Sequence, residues 1–120
     1  MNKPNSKLVK RIRVLHIDDD KEQLDMLQLF FEATDQPIDV TSTTETNEVL
    51  NLIHEKKYDC IISDYKMPEM TGIELAKKIR EKTDIPIILY TGQGSEEVAE
   101  AAFSIGVNDY VRKELQPSHY

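Results

Sequence analysis

The feature that most constrains this chain is an alternation. Short runs of β-branched and apolar residues recur, and a segment with helical spacing follows each of the first four. The runs are residues 13–17, 38–41, 60–63, 87–90 and 109–111. Between them stand Leu24, Leu27 and Phe31, then Val49 and Ile53, then Ile73, Ala76 and Ile79, then Val98, Ala102 and Ile105. Steps of three and four put those apolar groups on one side of a helix. Strands joined by helical crossovers lie parallel, so the expected fold is α/β, an open, doubly wound, five-stranded parallel sheet. Residues 14–17, 60–62 and 87–89 are apolar nearly throughout, as strands covered on both faces are. They belong at the centre, and the more polar runs at Ile38 and Tyr110 belong at the edges.

Helix punctuation agrees with this division. Thr71-Gly72-Ile73-Glu74 matches a capping box, Ser95 precedes a helical run, Gly106 sits where a left-handed C-cap belongs, and Thr44 is the expected cap of the second helix. No repeat, low-complexity tract or Gly/Ser-rich linker divides the 120 residues, a length that suits one domain. The expected layout is a basic tail over residues 1–12 and one domain over residues 13–120.

Composition then removes whole classes of function. A single cysteine, Cys60, excludes a disulfide framework and a CxxC zinc site and suits a reducing compartment. No apolar run reaches the roughly 18 residues of a membrane span, and no hydrophobic signal stretch opens the chain, so a soluble, cytoplasmic protein with no membrane contact is expected. The net charge is −7, yet residues 1–17 carry five bases and no acid, which leaves 10 bases against 22 acids in the rest. Such an acidic body repels phosphate backbones, so no direct nucleic-acid contact is expected. The four glycines form neither a phosphate-binding GxxxxGK[ST] loop nor a GxGxxG fingerprint after the first strand.

In a doubly wound sheet, ligands bind beyond the carboxyl ends of the strands. The first run ends in Asp18-Asp19-Asp20, the third in Ser63-Asp64, the fourth in Thr91-Gly92, and Lys113 follows the fifth. Two carboxylates about 4 Å apart repel by roughly 4 kcal/mol at an effective dielectric near 20, so Asp18, Asp19 and Asp64 need cations beside them. Lys113 supplies one, and a divalent ion with oxygen ligands supplies the rest. Mg²⁺ fits, because it uses one or two carboxylates, keeps waters and shares positions with a phosphoryl group. Flanked in this way, Asp64 stays ionised and can attack phosphorus to give an acyl phosphate. Lys113, Thr91 Oγ and the Gly92 amide would hold the phosphoryl oxygens.

The set Asp18-Asp19, Asp64 within Ser63-Asp64-Tyr65-Lys66-Met67-Pro68, Thr91-Gly92 and Lys113 resembles the receiver domain of two-component response regulators. That resemblance implies a flavodoxin-like sheet of order 2-1-3-4-5. It implies Asp64 as phosphoacceptor, with Mg²⁺ (Mn²⁺ can substitute) held by Asp18, Asp19, Asp64 and the Lys66 carbonyl. Thr91 and Tyr110 would be a switch pair whose output face is the fourth helix with the fifth strand. Gln93 and the Lys66 side chain stand where the lifetime of the phosphorylated state is tuned. The implied partner is a sensor histidine kinase or phosphotransfer protein, and the domain would not be an enzyme beyond its own phosphorylation and dephosphorylation.

The sequence departs from that family in two places. Receivers usually follow the lysine with a cis proline, but here Glu114 follows Lys113; a non-proline cis bond costs about 2.5 to 4 kcal/mol, so a trans bond is expected. Only seven residues follow Lys113, and Pro117 interrupts them, so the usual fifth helix is expected to be missing or truncated. The reading that follows is a fragment of a longer protein, with a sheet face left open to self-association as a homodimer or to a partner.

Several residues carry bland readings. His16 reads as a packed core or boundary histidine, His54 and His119 as solvated, and Cys60 as a small core hydrophobe. An aspartyl phosphatase is the enzymatic alternative, though Lys66 stands where its general acid would be. A flavodoxin-like cofactor protein is the binding alternative, though its first loop would be acidic where a flavin phosphate needs hydroxyls and amides. A receiver that signals by docking alone is the third.

Overall fold

A computed structural model of the chain describes residues 10–113. Most of the basic tail, His119, the Lys113–Glu114 bond and the expected loss of a fifth helix lie outside the described residues. Five strands, β1 (Ile12–Ile17), β2 (Ile38–Thr43), β3 (Cys60–Ser63), β4 (Ile87–Thr91) and β5 (Asp109–Arg112), alternate with four helices, α1 (Lys21–Glu32), α2 (Val49–Glu55), α3 (Gly72–Arg80) and α4 (Glu96–Ser104). All strand pairs are parallel, and the order is β2-β1-β3-β4-β5. The expected architecture and sheet order are both present.

Three of the four helices, α1, α3 and α4, begin where a side chain satisfies free amides. Asp20 accepts from Glu22 N for α1, Ser95 accepts from Val98 N for α4, and Thr71 and Glu74 form the expected capping box for α3, contacts worth about 1 kcal/mol each. Gly106, at φ +101°, takes the left-handed conformation after α4. The second helix differs from expectation. A 3-10 turn over Thr46–Glu48 precedes α2, and Thr43, not Thr44, makes the local contacts, accepting from Glu45 N and donating to Glu48 Oε1. The β2 strand runs two residues longer than its apolar pattern, and this moves the turn chemistry back onto Thr43.

The chain steps from β1 outward to β2 and then back across β1 to β3, β4 and β5. Right-handed crossovers therefore put α1 on one face and α2, α3 and α4 on the other. The larger core lies on the second face, where Leu15, Ile17, Ile61, Ile87 and Leu89 of the strands meet Leu75 and Ile79 of α3. Each such fully buried aliphatic stabilises the fold by about 1.5–3 kcal/mol. On the α1 face Val14, His16, Ile62 and Leu24 are buried. Arg80 ties α3 to the turn between α4 and β5, donating to the Gly106 and Thr83 carbonyls and to Asn108 Oδ1. The direction of the chain reverses between β1 and β3, and the crevice at that switch point opens beyond the carboxyl ends of these strands.

Candidate functional site

The three consecutive acids after β1 have three different surroundings. Asp18 continues the strand, its amide donating to the Thr43 carbonyl at 3.3 Å, and its side chain is only 1% exposed. Asp18 Oδ1 accepts from Asp20 N at 2.9 Å, which closes a tight turn that leaves Asp19 exposed and commits Asp20 to capping α1. Asp64 is held in a similar way at the end of β3. Its amide donates to the Ile17 carbonyl at 3.0 Å, and its Oδ1 accepts from Tyr65 N at 2.8 Å. Gly72 is required beneath it, because a Cβ there would overlap the Asp64 carbonyl and come within 2.7 Å of Leu89 Cδ1.

Because β1 and β3 are neighbours in register, these strand ends bring one carboxylate oxygen each of Asp18, Asp19 and Asp64 within 4.8 Å of one another. Among the described residues one ammonium pairs with them. Lys113 Nζ lies 2.8 Å from Asp18 Oδ2 and 3.6 Å from Asp64 Oδ2, and the Lys113 amide donates to the Thr91 carbonyl at 2.9 Å. One positive charge against three negative ones leaves the cluster short of cation, and its donors are all hard oxygens. That is the ligand chemistry Mg²⁺ takes, so the residues present fit the ion expected from the sequence.

Asp18, Asp19, Asp64, Lys66, Gly92, Gln93 and Lys113 line one open cavity of about 340 Å³. Thr91, fully buried, is not among the lining residues although Gly92 and Gln93 after it are; its Oγ1 accepts from Gln93 N at 2.9 Å, which leaves the hydroxyl proton free to be donated. Asp20 and Gln23 line the same cavity. Gln23 was not foreseen, although its place in the first turn of α1 was a signal. A Cβ at Gly92 would meet only Lys113 Cβ at 3.8 Å, an ordinary contact, so the protein's own atoms do not demand glycine there. A larger cavity, about 710 Å³, lies beyond the amino ends of β3 and β4, against Tyr58, Ile53 and Ile85. Its one acid, Asp59, already accepts from Arg13 N.

Tyr110 packs on the core side of β5, with its hydroxyl buried and without a hydrogen-bond partner. That hydroxyl fills the space a Cβ on Gly94 would need, next to Thr91. Thr91 and Tyr110 are therefore neighbours, and Tyr110 is turned inward. Gly94 was not foreseen as part of this arrangement. His16 is 1% exposed, and neither ring nitrogen has a partner. Burial, with Lys113 nearby, lowers its pKa to about 4, so it is a neutral packed histidine, as expected. His54 is exposed, and burial pushes the Cys60 thiol up.

No helix among the described residues is long and apolar enough to cross a membrane. The family model of the response regulator receiver domain matches residues 14–120. The chain is 32% identical over 104 residues to the transcriptional regulatory protein SrrA of Staphylococcus aureus, covering 87% of this chain and 42% of that one. It thus spans less than half the length of such curated relatives. Among solved structures, a two-component response regulator from Clostridium difficile aligns with a TM-score of 0.80 at 29% identity, over 88% of this chain and 86% of that one. The receiver domain of the Francisella response regulator 1452 aligns at 0.77 and 33% identity, over 86% and 84%. Receiver domains are signalling modules that interact with histidine kinases and output domains, and with a match over nearly its whole length this chain belongs to the response regulator receiver domain family of two-component systems.

Proposed function

We propose that Asp64 accepts a phosphoryl group from a phosphohistidine on a sensor histidine kinase or phosphotransfer protein, and that the modified domain then changes an output surface. One observation carries this reading: Asp64 lies in an open cavity with Lys113 Nζ 3.6 Å from its Oδ2 and with the Asp18 and Asp19 oxygens within 4.8 Å of its own. In the transfer, an Asp64 oxygen forms the new bond to phosphorus while the P–N bond breaks, and the electron pair leaves with the donor imidazole. Lys113 and the Thr91 hydroxyl donate to the phosphoryl oxygens, which is positioning and charge neutralisation more than covalent chemistry.

Asp18, Asp19, Asp64 and the Lys66 carbonyl would hold Mg²⁺ or Mn²⁺, and the bound ion would supply the positive charge the cluster lacks. Loss of the group to water returns the carboxylate; Gln93 and the Lys66 side chain line the cavity where they can shield that bond. The phosphoryl group gives the Thr91 hydroxyl an acceptor, and Tyr110 is the neighbour that feels its movement. The domain works in the cytoplasm without touching nucleic acid, a reading supported by its acidic body and lone cysteine. Exposed Met26, Leu29 and Phe30 on α1 and Val111 on β5 support a homodimer; a clean monomer by light scattering at high concentration counts against it.

The test is intact mass after incubation with Mg²⁺ and acetyl phosphate. One phosphoryl group is expected on the parent chain, labile to alkali and absent from Asp64→Asn. No adduct on the parent sinks the proposal, and turnover of a phosphoester would favour an aspartyl phosphatase. A kinase that binds without leaving an adduct would favour signalling by docking alone.

A further inference from the structure

Besides its two carboxylates, the Lys113 ammonium has a third neighbour. Nζ lies 5.4 Å from the centroid of the Tyr90 ring, within the roughly 6 Å at which a ring face attracts a cation. The register makes this contact. Tyr90 pairs with Val111 across β4 and β5, and Lys113, two residues beyond Val111, returns to the same face of the sheet. The Lys113 amide, bonded to the Thr91 carbonyl at 2.9 Å, keeps the two strand ends together, so the long side chain starts beside the ring and runs past it to the acids.

We propose that Tyr90 is a positioning residue for Lys113, its ring holding the ammonium in the cleft so that it faces Asp64 as well as Asp18. A lysine side chain has many rotamers to lose. Asp18, at 2.8 Å, would by itself draw Nζ away from Asp64, which is 3.6 Å off. The ring opposes that pull with the negative face of its quadrupole, and it offers no further carboxylate to neutralise the charge. The ammonium donors stay available on the side where a phosphoryl group would sit. A leucine there would keep an apolar side chain beside the lysine stem without attracting the charge.

The kinetic part of the test rests on Asp64 as phosphoryl acceptor; the spectroscopic part does not. In the parent protein, NMR should find the ε-methylene protons of Lys113 shifted upfield by the ring current. Tyr90→Phe should keep that shift and Tyr90→Leu should abolish it. With acetyl phosphate and Mg²⁺, Tyr90→Leu should be phosphorylated about three- to tenfold more slowly and Tyr90→Phe within about twofold of the parent. Ordinary lysine ε-methylene shifts in the parent would overturn the proposal. So would a Tyr90→Phe variant as slow as Tyr90→Leu, because the hydroxyl or general packing would then be responsible. If Tyr90→Leu does not fold, the parent and Tyr90→Phe spectra decide. If the parent takes up no phosphoryl group, the function proposed above fails and the methylene shift still decides this one.

Discussion

Lys113 donates to Asp18 at 2.8 Å across 95 positions of sequence, and this joins the end of β5 to the end of β1. Asp18 is 1% exposed and Lys113 14%, so the pair is screened far less than a surface bridge. Removing one member of such a pair leaves the other charge buried alone.

Lys113→Met should therefore lower stability without metal by up to about 3 kcal/mol, seen as a lower melting temperature in EDTA, and added MgCl2 should restore part of the loss. Asp19→Asn should act in the opposite direction. It removes an exposed member of the acid cluster, raises the melting temperature in EDTA and weakens the response to Mg²⁺. A Lys113→Met protein as stable as the parent would show that the pair contributes nothing.

Gly94 and Tyr110 should behave as one unit. The methyl of Gly94→Ala would overlap the Tyr110 hydroxyl, so the tyrosine must leave its buried position, and a loss on the order of 1–3 kcal/mol is expected. Tyr110→Phe removes the overlapping oxygen, which is also a buried hydroxyl without a partner. In a double-mutant cycle by urea unfolding, Gly94→Ala should cost less in the Tyr110→Phe background than alone. Strict additivity would mean that the two residues do not compete for the same space.

His16→Leu should stabilise the domain at neutral pH. The ring is buried with both nitrogens unpartnered, and an apolar side chain of similar size removes a cost of about 1–3 kcal/mol. The sign of the pH dependence follows from the lowered pKa. Between about 4, where the folded ring titrates, and about 6.5, where a free one does, the unfolded chain binds the extra proton. Parent stability is thus complete above that window and declines as pH falls through it. The leucine variant should lack this part of the acid limb, as thermal unfolding from pH 7 to 4.5 would show.

The elements that were legible in the sequence are those whose residues act locally. Apolar runs set β1, β3 and β4, because a strand covered on both faces has nothing polar to interrupt it. Thr71 with Glu74, Ser95 and Gly106 announced helix ends through contacts three or four residues long. The three acids and Lys113 were legible as a cluster because strand ends in a parallel sheet share one rim. Thr43 was missed as the residue that closes the turn before α2 because β2 continues past its apolar pattern. Tyr90 and Gly94 were missed for another reason. Tyr90 matters only because its pairing with Val111 puts it on the face of Lys113, and Gly94 only because Tyr110 points inward. Neither fact follows from the local pattern around the residue.

The cleft draws a side chain or amide from the ends of β1, β3, β4 and β5, and the last of these is an edge strand with no partner on its outer side among the described residues. If that edge frays while the rest of the sheet survives, Lys113 departs and three carboxylates are left facing one another without the ammonium that paired two of them. The repulsion released at that moment works against the remaining strands. Occupation of the cleft by a cation therefore cancels that repulsion and spares the remaining strands when the margin of the sheet opens.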